Sequence, residues 1–252
     1  MLLTVDIGNT NITFGLFENE NFVEEFRLSS DYDLSEEEYE ISIKSFLSDY
    51  NIDSCICASV VEELTEIVKS ALISVLGIDV IFIDSYSNNG VKIVADNPEE
   101  AGADRIANAA AVYSKYPGRA VVVVDFGTAT TFDIVNSKGE FCGGIIAPGI
   151  NTQLECLHSS TSKLPKIDVG TSDGVLASNT KDAILAGVVR GTACMVDGLI
   201  AQCEDELGEP VVLVATGGYC SLIQKYTKRK FDEVNPILTL QGLRVIYERS
   251  RQ

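Results

Sequence analysis

The chain has 252 residues, 46% of them hydrophobic and 22% charged, and carries a formal charge of −18 from 19 Lys and Arg against 37 Asp and Glu. These values fit a folded protein of one large or two small domains and exclude a disordered chain. The charge also speaks against a nucleic-acid partner, because a phosphate backbone is bound by clustered basic residues. Leu2 to Val5 form an apolar run that ends in Asp6-Ile-Gly-Asn-Thr, a strand entering a tight turn. Asn11 to Phe17 read as the returning strand and Phe22 to Leu28 as a third. Ser35 with Glu38 is a capping box that opens a helix, and its acidic first turn suits the helix dipole. Cys55 to Val60 and Val80 to Ile83 read as strands on either side of a helix from about Glu62 to Leu76.

The pattern then recurs. Ala120 to Val124 run into Asp125-Phe-Gly-Thr-Ala-Thr, Thr130 to Val135 return, and Gly144 to Ala147 make a third strand. A helix from about Thr180 to Glu206, a strand at Val211 to Ala215 and helices after Gly217 and Pro236 follow. Asp125 stands 119 residues after Asp6, close to half the chain, which points to an internal duplication. Such an order implies two α/β domains, 1–117 and 118–252, each a mixed sheet with an antiparallel edge covered by helices. The two Asp-x-Gly turns are expected to face a cleft between them.

The chemistry of those turns favours phosphate. Glycine allows close approach of a ligand, and successive backbone N–H groups cradle phosphate oxygens. Thr10 and Asn11 in the first turn, and Thr128 and Thr130 in the second, add neutral donors. The carboxylates of Asp6 and Asp125 suit a cation beside the phosphates. A third turn, Ala215-Thr-Gly217-Gly218, offers bare backbone to an adenine or ribose. Asp133 reads as a strand-end carboxylate. Seven cysteines with scattered spacing fit reduced thiols of a cytoplasmic protein, with Cys55 and Cys57 on one face of a strand. The first residues have no basic start, and no stretch of ~20 apolar residues stands out, so neither a signal peptide nor a membrane span is expected.

Asp6-Ile-Gly-Asn-Thr-Asn-Ile, Asp96-Asn-Pro-Glu-Glu-Ala-Gly-Ala-Asp-Arg105, Asp125-Phe-Gly-Thr-Ala-Thr-Thr-Phe-Asp133, Gly143 to Gly149, Ala215 to Gly218 and Asn235 to Arg244 resemble type III pantothenate kinases in kind and order. The resemblance implies duplicated ribonuclease H-like domains of the actin, Hsp70 and sugar kinase superfamily. It implies ATP-dependent phosphorylation of pantothenate, the first step of coenzyme A biosynthesis, by a homodimer that needs Mg²⁺ and a monovalent cation, potassium or ammonium. It assigns the ATP phosphates to Asp6, Ile7, Gly8, Asn9, Thr10, Asn11, Ile12 and Thr13. It gives ATP contacts to Thr128, Gly217 and Gly218 and the monovalent cation to Asp125. The acceptor falls to Gly102, Ala103, Asp104, Arg105 and Thr180, with Asp104 as the catalytic base. Thr180 also reads as a helix N-cap. His158, the one histidine, reads as a packed residue or a second-subunit contact. The tyrosine that the family carries before Asp-Asn-Pro is Ala95 here. A non-catalytic regulator of the Bvg accessory factor type, or a kinase of another small alcohol, stays open as an alternative.

Overall fold

The computed structural model describes residues 1–86 and 90–251. Its strands are β1 (Leu2–Ile7), β2 (Asn11–Glu18), β3 (Asn21–Ser29), β4 (Ser54–Ser59), β5 (Val80–Phe82), β6 (Lys92–Ile93), β7 (Ala120–Phe126), β8 (Ala129–Val135), β9 (Glu140–Pro148), β10 (Val211–Thr216) and β11 (Glu233–Val234). The α-helices are α1 (Glu36–Leu47), α2 (Glu62–Leu76), α3 (Ala103–Lys115), α4 (Ile150–Ser159), α5 (Thr180–Leu185), α6 (Gly191–Leu207), α7 (Cys220–Ile223) and α8 (Leu238–Ser250).

The chain divides into two compact units. Met1–Lys115 combine with the segment that begins at Ile237, and Tyr116–Pro236 form the other. The sequence assigned 118–252 to the second domain; the contacts instead group α8 with the first unit. Gln252, the end of that expected domain, lies outside the described residues.

In the first unit the strands lie in the order β3-β2-β1-β4-β5. β1 is antiparallel to β2 and parallel to β4, so it is central. Covered on both faces, it reads as a nearly continuous apolar run, with Leu3, Val5 and Ile7 fully buried. α1 and α2 close one face through Tyr39, Ile43, Leu64, Val68 and Leu72. The Ser35–Glu38 capping box forms as expected. α2 ends at Gly77, whose φ of 64° supplies the left-handed cap.

The second unit repeats this arrangement, with β9-β8-β7-β10-β11 in the equivalent places. Asp6 pairs with Thr13 on its antiparallel side and Ala58 on its parallel side. Asp125 pairs likewise with Thr131 and Thr216. The duplication read from the sequence is thus present in strand order, with the turn after Asp125 one residue shorter than the turn after Asp6. The core holds Val122, Val124 and Phe132 against Ile184, Val189, Val196 and Ile200.

α5 and α6 join through a π-helical turn at Ala186–Arg190. The continuous helix Thr180–Leu207 is, by length and composition, long and apolar enough to cross a membrane. Its apolar stripe is core packing: Val189, Ala193, Val196 and Ile200 are all at most 1% exposed. α4, just after the Pro148-Gly149 turn, and the short β11 are elements that the sequence reading did not foresee.

Candidate active site

In the first unit, the loop between β1 and β2 is closed by the Gly8 N–H donating to the Asn11 carbonyl at 3.0 Å. Ser30 donates its hydroxyl to the Gly8 carbonyl. Asn9, Thr10 and Asn11 are exposed, whereas Ile7 and Ile12 are wholly buried in the core. Any ligand contact at those two isoleucines therefore belongs to their main chain. Asp6 is half-buried at the carboxyl end of β1.

Gly102-Ala-Asp104-Arg105 forms the start of α3, beside this hairpin. Val60 joins the two: its N–H donates to the Ile7 carbonyl at 3.1 Å, and its Cγ1 would lie 3.4 Å from a Cβ at Gly102. Such a Cβ would also fall 2.6 Å from Asp104 Oδ1, so the carboxylate occupies room that only glycine leaves. Asp104 Oδ1 accepts the Arg105 N–H at 2.8 Å. Burial raises the Asp104 carboxyl above the ordinary carboxylate value, against the lowering influence of that N–H and of the Arg105 charge. A half-buried carboxylate of raised proton affinity at a helix start can take a proton from an alcohol, and the adjacent guanidinium can hold a carboxylate through two hydrogen bonds.

The second unit shows the matching turn and more. Gly127 N–H donates to the Ala129 carbonyl at 3.0 Å. The Thr128 carbonyl accepts from the Gly149 N–H at 3.0 Å and from the Thr152 hydroxyl at 2.7 Å. A Cβ at Gly149 would lie 2.3 Å from the Gly127 carbonyl oxygen, so the Pro148-Gly149 turn rests directly on the Asp125 turn. Gly217 has φ 87°, and a Cβ there would lie 2.5 Å from Asp125 Oδ1 and 2.7 Å from the Phe126 backbone. The ground beside the Asp125 carboxylate is thus kept free of side chains by glycine. Cys220 lies beneath this turn and donates its thiol to the carbonyls of Thr216 and Gly217 at 2.8 and 3.0 Å. Burial, and then the charge of Asp125, push that thiol up to about 12.

Thr180 lies elsewhere in the second unit. The N-cap of α5 is Asn179, whose side chain accepts the Asp182 N–H, and Thr180 is the first helical residue. The N-cap reading of Thr180 is therefore corrected by one position, since Asn179 has the extended backbone of a cap and its side chain takes the free N–H of the first turn. Thr180 and Asn179 line a cavity of about 890 Å³ with Thr152, Gln153, Ile184 and Val188. His158 is half-buried, with Nδ1 3.0 Å from the Leu164 carbonyl oxygen, so it anchors the loop after α4. Asp133 is fully buried in mid-strand, between Val123 and Gly144, and not at a strand end. The residues that sequence reasoning missed are Ser30, Val60, Thr152 and Cys220. The Gly143 to Gly149 motif flagged the neighbourhood of Thr152; the others are short or apolar residues with no pattern of their own.

The family model described as type III pantothenate kinase matches residues 2–202. A type III pantothenate kinase of Geobacter sulfurreducens is 40% identical over 257 residues, with 100% of each chain covered. The chain belongs to the type III pantothenate kinase family. A family member from Myxococcus xanthus is 40% identical over 255 residues, covering 99% of both chains. Among solved structures, a Baf family protein from Campylobacter jejuni superposes with a TM-score of 0.61 at 23% identity, covering 99% of this chain and 100% of that one. A ROK family glucokinase from Streptomyces griseus, in complex with glucose and AMPPNP, superposes with a TM-score of 0.54 at 14% identity, covering 99% of each. At those identities the structures establish the fold, the mixed α/β architecture of the actin, Hsp70 and ROK sugar kinase class.

Proposed function

We propose that this chain transfers the γ-phosphoryl group of ATP to the primary hydroxyl of pantothenate, giving 4'-phosphopantothenate at the first step of coenzyme A biosynthesis. The observation that carries the reading is Asp104–Arg105 at the start of α3, a few residues in space from the Gly8 loop and joined to it through Val60. Pantothenate has a carboxylate at one end and the reacting hydroxyl at the other. Arg105 binds the carboxylate and orients the molecule. Asp104 accepts the hydroxyl proton as that oxygen forms a bond to the γ-phosphorus. The bond from phosphorus to the β–γ bridging oxygen breaks, and ADP leaves with that electron pair. Phosphoryl transfer depends mainly on positioning and charge, so the Gly8 turn, through the backbone N–H groups that follow from Asn9 to Asn11, supplies the principal phosphate contacts.

The kinase family implies ATP and a divalent ion. Bound with ATP, Mg²⁺ would supply positive charge to offset the phosphates, and Asp6 and Asp125 each offer a hard carboxylate oxygen that would suit its water shell. The bare ground at Gly217 beside Asp125 suits a monovalent cation, potassium or ammonium. Thr128, Gly217 and Gly218 remain the residues we assign to the rest of ATP, and Thr180 to pantothenate.

We further infer a homodimer through the second unit. Val175 and Leu176, 73% and 98% exposed, directly precede Ala177, which lines the 890 Å³ cavity with Leu157, Leu164, Ile184 and Val188. An exposed apolar knob beside an apolar groove is the self-complementary arrangement a two-fold interface needs. Seven free cysteines support a cytoplasmic location. The charge of −18 supports the absence of a nucleic-acid partner. The regulatory reading and the other-alcohol reading give way, because full-length relatives at 40% identity are kinases of pantothenate.

The test is purified protein with ATP, Mg²⁺, potassium and pantothenate, following ADP release and the phosphorylated product. Turnover with another small alcohol and none with pantothenate overturns the acceptor. No turnover with any alcohol overturns the activity.

A further inference from the structure

The segment of α8 from Thr239 to Gly242 belongs to the Asn235 to Arg244 motif, and no step of the reaction above uses it. It touches α3 on one side. A Cβ at Gly242 would lie 1.9 Å from the Ala107 carbonyl oxygen and 2.5 Å from its carbon, so the backbones of α8 and α3 are in direct contact. Thr239 donates its hydroxyl to Asn108 Oδ1 at 2.9 Å. Asn108 is 1% exposed and stands one helical turn after Asp104. On its other side the segment meets the β1–β2 hairpin. A Cβ at Gly15 would lie 2.9 Å from Leu240 Cδ1 and 2.9 Å from Thr4 Oγ1, so Leu240 is seated on bare β2 backbone. One turn further on, the Arg244 guanidinium lies over the Phe17 ring at 5.9 Å.

We propose that Thr239 and Gly242 are positioning residues for phosphoryl transfer, which through α3 fix the distance between Asp104 and the phosphate-binding hairpin. This role rests on the kinase function proposed above. Gly242 lets α8 lie against the α3 main chain closer than any side chain would allow, and Gly15 lets the Leu240 side chain rest directly on the β2 backbone, so the spacing is set by main-chain contact on the α3 side and by one leucine on bare backbone on the other. The Thr239–Asn108 hydrogen bond fixes the rotation of α3 about its axis, and with it the direction of Asp104. Phosphoryl transfer is sensitive to such placement, since a displacement of about 1 Å at the reacting groups costs roughly 100-fold in rate.

The experiment measures kcat, the KM for pantothenate and the calorimetric Kd for ATP in the unaltered protein and in Thr239→Val, Thr239→Ser and Gly242→Ala. Thr239→Val keeps the shape and loses the donor; its kcat is expected to fall about tenfold, the cost of one buried hydrogen bond, with the ATP Kd within twofold. Thr239→Ser restores the donor and most of the rate. Gly242→Ala is expected to lower kcat by roughly 100-fold with ATP binding retained. If Gly242→Ala does not fold, the Thr239 pair decides alone. A kcat within twofold in Thr239→Val, an equal loss in Thr239→Ser, or an ATP Kd that weakens in step with kcat overturns the role. If the unaltered protein phosphorylates an alcohol other than pantothenate, the same variants are read with that alcohol, and the acceptor fails while this role is still decided. No transfer to any alcohol by the unaltered protein overturns both.

Discussion

Burial raises the proton affinity of the Asp104 carboxyl, and this sets two demands against each other. Catalysis needs the ionised form, so the acid limb of kcat/KM against pH is expected above the ordinary carboxylate range. Stability follows the opposite sign. A carboxyl whose folded value is raised contributes most below its unfolded value, and that contribution is lost as pH rises through the folded value. At neutral pH the ionised group therefore costs stability. Asp104→Asn is expected to lose at least about 100-fold in kcat, the scale of general-base assistance, while its Tm at pH 7.5 rises; a melting curve and a progress curve on the same sample check both, and an unchanged or lower Tm contradicts the burial argument. A second residue-scale outcome concerns the thiols. Cys156 and Cys194 are exposed, whereas Cys220 is buried and raised to about 12. At pH 8 a disulfide reagent is expected to titrate Cys156 and Cys194 quickly and Cys220 only after denaturation, as peptide mapping of the labelled protein would show. Nothing in the sequence announced Cys220: the short-range pattern that marks a turn residue is absent, and its role arises from Thr216 and Gly217 folding back over it.

Among elements, the β10–α7 turn combines a close approach with a positive φ at Gly217. Gly217→Ala places a methyl against Asp125 and Phe126 at positive φ, a cost on the order of 1–3 kcal/mol. Its Tm is expected to fall and its ATP Kd, measured by calorimetry, to weaken; unaltered ATP affinity would remove Gly217 from the nucleotide site. Most elements were legible because their signals are local. The β-branched run Val121 to Val124, the Ser35–Glu38 box and the glycine after Leu76 each state their structure within a few residues. α4 was not legible, since Ile150 to Ser159 begins without a side-chain cap and is held by the Thr152 and Gln153 bonds to Thr128 and Pro148, which are distant or backbone partners. In the same way, the Asp-x-Gly turns could be read as phosphate cradles, but Val60, which ties one of them to α3, is an ordinary apolar residue whose position depends on strand pairing.

For the whole molecule, the repeat made the two-unit plan legible, and the membership of α8 was hidden because proximity along the chain favours the unit just made. What draws α8 to the first unit is complementary shape: it buries Leu238, Leu240, Leu243 and Ile246, with Leu240 on the ground left by Gly15 and Gly242 against the Ala107 backbone. Charge assists, since Arg249 lies over Tyr113 and donates to the Gly90 carbonyl. The dimer proposed through the second unit predicts that Leu176→Asp sediments as a monomer at concentrations where the unaltered protein is a dimer, because burying each leucine contributes about 1.5–3 kcal/mol. Identical sedimentation of the two proteins would sink that interface.

The membership of α8 also orders events on the ribosome. Synthesis proceeds at about 5–20 residues per second, so the stretch between Lys115 and Ile237 occupies on the order of 10 s. Throughout that interval the first unit exists with the apolar seat of α8 open, while the second unit, made later, has all its residues first. The earlier half of the chain is thus the last to be completed. A nascent chain stalled before Ile237 presents that seat to solvent and to chaperones, and ribosome profiling with pulse proteolysis would find the N-terminal half protease-sensitive until α8 has emerged.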